Sequence, residues 1–165
     1  MIKNIFIFLL IISLSGPIRA DHTKFDQDAL NLMSPSTSSE IGINYFKSHE
    51  YGEALEYFKL RAKEDDTDNS VNAGLIYEYI YNDLKLAEFY YRKAAESGNP
   101  YGQYNLGILL YIFKKDKINS YKWIVCSTKQ GYINAIEAQQ YLIQKKLISK
   151  DVIKKSENQN NKCLN

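Results

Sequence analysis

Two histidines, His22 and His49, and two cysteines, Cys126 and Cys163, are the side chains of this 165-residue chain best suited to nucleophilic or metal chemistry. A nucleophilic thiol needs a base beside it, and a metal needs several ligands converging on one point. His22 follows an apolar N-terminal run, and His49 stands beside Glu50 in what reads as a turn between two helices. Neither lies at ligand spacing from a cysteine or a set of acids. A Cys126–His49 pair would have to be assembled from distant segments, with nothing local to orient the imidazole. The chain holds no Gly-x-Ser-x-Gly, no phosphate-binding glycine loop and no His-Glu-x-x-His. The acidic run Glu64-Asp65-Asp66-Thr67-Asp68 departs from the spacing of an EF-hand loop and reads as a solvated turn between units. The expectation is a chain without catalytic residues, metal or cofactor.

The elements that could position other functional side chains are helical. A hydrophobic fraction of 45% and a charged fraction of 24% exclude wholesale disorder. No segment alternates with period two over a useful length, so strands are not expected. The formal charge of +2 is too small to mark a nucleic-acid binder. Lys3, the uninterrupted apolar run Ile5–Ile12 and the small residues up to Ala20 read as a secretory signal peptide. The run is too short to span a bilayer, which needs about 20 residues. Residues 1–20 are therefore expected to be removed, by cleavage after Ala20 or after Ser15. No transmembrane span would remain, and the product would be periplasmic or secreted. The last 21 residues carry six lysines against two acids, which leaves residues 21–144 four units acidic. The tail 157–165 has almost nothing to bury and reads as disordered.

The middle of the chain repeats with a period of 33. Ala54, Ala87 and Ser120 keep that spacing, as do Tyr57, Tyr90 and Trp123, and Phe58, Tyr91 and Ile124. Gly98 and Gly131 close two units, and Gly42, Gly74 and Gly107 stand in matching surroundings. Apolar residues at three and four spacing give two amphipathic helices per unit. Helices are expected at 37–47, 50–64, 69–80, 84–97, 100–113, 117–130, 133–146 and 150–156, with a short one possible at Phe25–Met33. Thr37-Ser-Ser-Glu40 reads as a capping box, and Asn99 as a cap before Pro100. A mid-helix glycine costs about 1 kcal/mol relative to alanine. Three in register imply close approach of a partner helix, with Ala54, Ala87 and Ser120 as the facing positions. The fold class is all-α, a helical-pair repeat array. A lead-in at 21–36 precedes a repeat domain at 37–156, with units at about 37–66, 69–98 and 100–131 and capping helices at 132–156.

Asn72-Ala-Gly-Leu-Ile-Tyr77 with Leu84-Lys-Leu-Ala87 and Tyr90-Tyr-Arg-Lys-Ala-Ala-Glu-Ser-Gly98 resembles the Sel-one-like repeat. So does Tyr104-Asn-Leu-Gly107 with Tyr121-Lys-Trp123 and Gln130-Gly131. That family belongs to the tetratricopeptide-like superfamily of stacked helical pairs. The unit at 37–66 looks closer to a tetratricopeptide repeat, with Asp65 where the closing glycine would stand. The resemblance implies a protein-binding scaffold, and it carries no catalytic residues. Some cysteine-rich members of the family are described as binding penicillin. This chain lacks their paired cysteines within repeats.

In such arrays first helices line the concave face. The glycine register puts Ile43, Phe46, Val71, Leu75, Glu78, Tyr79, Tyr101, Tyr104, Ile108 and Tyr111 there, and Glu137 and Tyr141 join them from helix 133–146. Val71, Leu75 and Ile108 could equally fill core. The expected partner-binding residues are Phe46, Glu78, Tyr79, Tyr101, Tyr104, Tyr111, Glu137 and Tyr141, because tyrosine offers large contact area with few rotatable bonds. The partner would be a protein or peptide and not nucleic acid, and the chain alone a monomer. An immunity protein capping a toxin delivered to the periplasm, a secreted factor engaging host proteins and a general adaptor all fit this reading. Cys126 occupies the register position of Leu60 and Lys93, which implies an outward, partly exposed site. An exposed free thiol is a liability in an oxidising compartment, so Cys126 and Cys163 are expected to pair.

Overall fold

The computed structural model of the chain describes residues 27, 29–64, 66–158 and 163. The expected signal peptide lies outside the described residues, as does Asp65. A helical turn at 29–32 and a 3-10 turn, Thr37–Ser39, lead into α1, Glu40–Lys47. There follow α2, Tyr51–Lys63, α3, Thr67–Tyr79, and α4, Leu84–Glu96. The chain continues through α5, Pro100–Leu109, a π-helical turn, Leu110–Lys114, and α6, Lys117–Lys129. It ends in α7, Ile133–Gln144, and α8, Lys150–Glu157. No strand occurs among the described residues. Each helix from α1 to α6 packs on the next in chain order, α3 also lies against α5, and α8 packs on α6. The fold is an all-α helical-pair repeat array.

The sequence repeat is a repeat of backbone geometry. The turn inside each pair carries a left-handed residue at His49, Asn82 and Lys115, with φ of 62°, 51° and 55°, and these positions are 33 apart. The turn between pairs does the same at Gly98 and Gly131, with φ of 86° and 80°, where the missing Cβ removes the steric cost. His49 is therefore a turn residue, and its Nδ1 lies 2.7 Å from the Tyr51 hydroxyl. Helix caps follow the same register. Asp66 accepts from the Asn69 amide and Asn99 from the Gly102 amide. Asp83 accepts from the Lys85 and Leu86 amides, and Asp116 from the Asn119 amide. Each satisfies an amide that the first helical turn leaves without a partner.

The glycines mark close helix contacts, and the side chain nearest each sits one turn beyond the expected facing position. A methyl group at Gly74 would stand 2.6 Å from the Tyr91 ring, and one at Gly107 2.8 Å from Ile124. At Gly42 it would meet the ring of Phe58. Ser120 does face Gly107, its carbonyl oxygen 3.1 Å from that methyl position, and Ala54 and Ala87 are fully buried, while the large rings and Ile124 fill the space that glycine vacates. Helical side chains lean toward the N-terminus, so the residue four places on covers the spot.

The expected capping box does not form. Thr37 opens the 3-10 turn, and neither that turn nor α1 has a side-chain cap. The Ser36 hydroxyl instead pairs with those of Ser38 and Ser39. The lead-in is part of the array, since Ala29, Leu32 and Met33 are buried in its core. It is also tied to α3. Asn72 bonds both backbone polar groups of Ser34, at 2.8 and 3.2 Å. Asp68 accepts from the Ser34 hydroxyl, and Asp66 from the Ser38 hydroxyl at 2.5 Å. Asp68 also accepts from Asn99 Nδ2 at 2.8 Å. The run read as a solvated turn is thus a polar hub joining the lead-in, the first turn of α3 and the next unit.

Candidate functional site

The face built by the first helices of the pairs gathers most of the expected partner-binding side chains. Tyr101 and Tyr104 sit three apart on α5, one helical turn, and so share a side. Glu137 and Tyr141 do the same four apart on α7. Tyr132, the residue before α7, brings its ring against the two tyrosines of α5. Its centroid is 4.5 Å from that of Tyr101 and 5.4 Å from that of Tyr104, the latter pair edge-on at 74°. Glu78, near the end of α3, accepts a 2.8 Å hydrogen bond from the Tyr91 hydroxyl.

The electrostatics show which groups lie together. Burial holds the Tyr104 phenol well above its ordinary value, and Tyr132, Glu137 and Glu78 add to the shift in that order. One phenol therefore feels both carboxylates. Burial raises the Tyr132 phenol to about 12, against the opposing hydrogen bond from Asn134 and with Tyr101 adding to it. Burial and then Tyr141 raise the Tyr111 phenol. Burial lifts the Glu78 carboxyl from 4.5 to about 7, opposed by the Tyr91 hydrogen bond. Burial and Glu78, followed by Tyr79, raise the Tyr91 phenol in turn.

Six of the eight expected side chains, Glu78, Tyr79, Tyr101, Tyr111, Glu137 and Tyr141, are half-buried, with part of each open to solvent. The other two are core. Phe46 is 1% exposed and packs edge-on against Tyr51 at 5.1 Å, because α2 folds back over it. Tyr104 is 5% exposed, because Tyr132 covers its ring. Val71, Leu75 and Ile108 are buried as well. Tyr132 itself is absent from the expected set. It stands 33 residues after the cap Asn99, where an aromatic replaces the polar cap and α7 has no side-chain cap. That break in the repeat was the available signal.

Cys126 and Cys163 form a disulfide, with Cα atoms 5.4 Å apart. Cys126 is therefore not a free nucleophile for His49. It is also 1% exposed rather than outward-facing, since α8 and the tail close over α6. Cys163 is 6% exposed, and its carbonyl accepts from the buried Gln103 side chain at 3.4 Å. This part of the tail, expected to be loose, is fixed at the end of the array. No group of three or more metal-ligating side chains occurs among the described residues, and no helix there is long and apolar enough to cross a membrane.

The outer side carries aromatics too. Tyr77 and Tyr90 stack at 5.5 Å, and Phe89, 59% exposed, meets Tyr90 edge-on at 5.2 Å. An open depression of about 470 Å³ near them is lined by Tyr45, Tyr57, Leu60 and charged residues of α2.

No family model matches the chain, and no solved structure matches it. The chain is similar to an F-box protein of Arabidopsis thaliana, with 30% identity over 113 residues. The match covers 62% of this chain, and the chain spans about a third of that relative, 32% of its length.

Proposed function

We propose that the chain is an exported, non-enzymatic member of the Sel-one-like repeat family that binds a protein or peptide through its first-helix face. The observation that carries the reading is the contact of the half-exposed Tyr101 and Tyr132 rings, from α5 and the start of α7, over a buried Tyr104 that feels the two carboxylates Glu78 and Glu137. Such rings supply contact area at low entropic cost, and the array holds them in place before a ligand arrives. Export is read from residues 1–20. The test is a pull-down with the purified chain, followed by affinity measurement on substituted forms. Tyr101→Ala and Tyr111→Ala should each weaken capture by about 2 kcal/mol or more, as anchors do. Phe89→Ala on the outer ridge should leave capture unchanged. The reverse pattern would move the binding surface to α4.

A further inference from the structure

Resting on that reading of the first-helix face, we infer that its ligand anchors there through a lysine or arginine side chain, paired with the carboxylates of Glu78 and Glu137 on the side that carries the Tyr101 and Tyr132 rings. The charge distribution points this way. Helices α3, α5 and α7, spanning 67–79, 100–109 and 133–144, contain no lysine or arginine. Their charged residues are Asp68, Glu78 and Glu137, all acidic. Asp68 is occupied at the far end of α3 by Ser34 and Asn99. The face is thus anionic, while the basic side chains stand on other segments.

The two carboxylates differ from their peers. Elsewhere a half-buried acid has a cation or several donors. Glu88 pairs with Arg92 at 2.7 Å and Lys114 at 3.4 Å, while Asp66, Asp83 and Asp116 accept from backbone amides. Among the described residues Glu137 has no such partner, and Glu78 has one phenol. A carboxylate has room for about four hydrogen bonds, so acceptor capacity is left over. An independent observation agrees. The Tyr104 ring is buried but its hydroxyl is not sealed from solvent; it feels Glu78 and Glu137 together and makes no hydrogen bond among the described residues. A cationic side chain would supply donors to these acceptors while its charge lay against the half-exposed Tyr101 and Tyr132 rings, whose faces attract cations. An acidic or purely apolar segment would leave the carboxylates desolvated and unpaired, which is costly.

The probe is a displayed library of random twelve-residue peptides, selected on the full chain and then measured as free peptides. The selected peptides should share a lysine or arginine at one position. Replacing it by glutamine should weaken binding about tenfold or more, as should Glu78→Gln with Glu137→Gln in the protein. Both Gln substitutions preserve shape, and a melting midpoint no lower than that of the wild type would show that the fold persists. Peptides that are lost on Tyr101→Ala but lack a basic residue, or ignore the two Gln substitutions, would overturn the cation anchor and leave the binding face standing. Peptides indifferent to Tyr101→Ala and Tyr111→Ala would overturn the face itself. A library yielding no binder would count against both.

Discussion

Glu78 shows how a single side chain couples the array to pH. Burial on α3 lifts its folded-state value from 4.5 to about 7, and Tyr91 from α4 donates to it at 2.8 Å. Tyr104 from α5 and Glu137 from α7 act on the same neighbourhood. A carboxyl whose value is raised by folding favours the native state at low pH. That contribution is complete below about 4.5 and is lost as pH rises through 7. A tenfold change in proton affinity corresponds to about 1.4 kcal/mol, so the loss is on the order of 2 kcal/mol or more. Gln at this position keeps an acceptor for Tyr91 without the charge. Glu78→Gln should therefore be more stable than the wild type at pH 8, by roughly 2 kcal/mol, with the gap closing below pH 4.5. Urea midpoints at the two pH values measure it, and a gap independent of pH would contradict the account.

At the scale of the element, the seam between paired helices is set by glycine facing a large side chain. Tyr91 is fully buried, so its ring has no open space into which to retreat from a methyl group at Gly74. Gly74→Ala should destabilise by about 1–3 kcal/mol through overpacking, despite a helix-propensity gain of about 1 kcal/mol. Gly52 in α2 is the internal control, since a methyl group there meets nothing within 4 Å. Gly52→Ala should stabilise by about 0.4–1 kcal/mol. Denaturant titration of the two variants would show opposite signs; equal effects would mean that the seam does not discriminate. The same scale explains why the nearest side chain sits one turn beyond the expected facing position. Sequence spacing locates the glycine, but which turn of the partner helix lies opposite depends on side-chain direction and on the crossing of the two helices.

For the whole molecule, the disulfide decides how the array ends. It joins α6 to the tail across 37 residues, enclosing α7 and α8. A loop of that size corresponds to a stabilisation of about 4 kcal/mol on the chain-entropy model. Cys163→Ser should lower stability by about 2–4 kcal/mol and speed amide exchange in α8 before α3 or α4. Thermal melts with and without reductant, together with exchange measurements, check this. Identical midpoints would show that α8 holds its place on α6 unaided.

The helical-pair architecture was legible in the residues alone. Period-33 spacing, apolar stripes and glycine turns are local patterns, and the observed helices follow the expected spans closely, from α1 to α8. The left-handed positions His49, Asn82 and Lys115 and the cap pairs Asp66 with Asn99 and Asp83 with Asp116 lay in the same register, open to the same reading. The all-acidic charge of α3, α5 and α7 was legible too. What needed the tertiary structure was which side of a stripe reaches solvent. Phe46 and Tyr104 share a helix face with half-exposed neighbours, yet one lies under α2 and the other under Tyr132. Cys126 shares its register with the partly exposed Lys93 and is buried because α8 and the tail return over α6. Periodicity fixes direction about a helix axis; burial depends on what the rest of the chain lays across that direction, which no local spacing encodes.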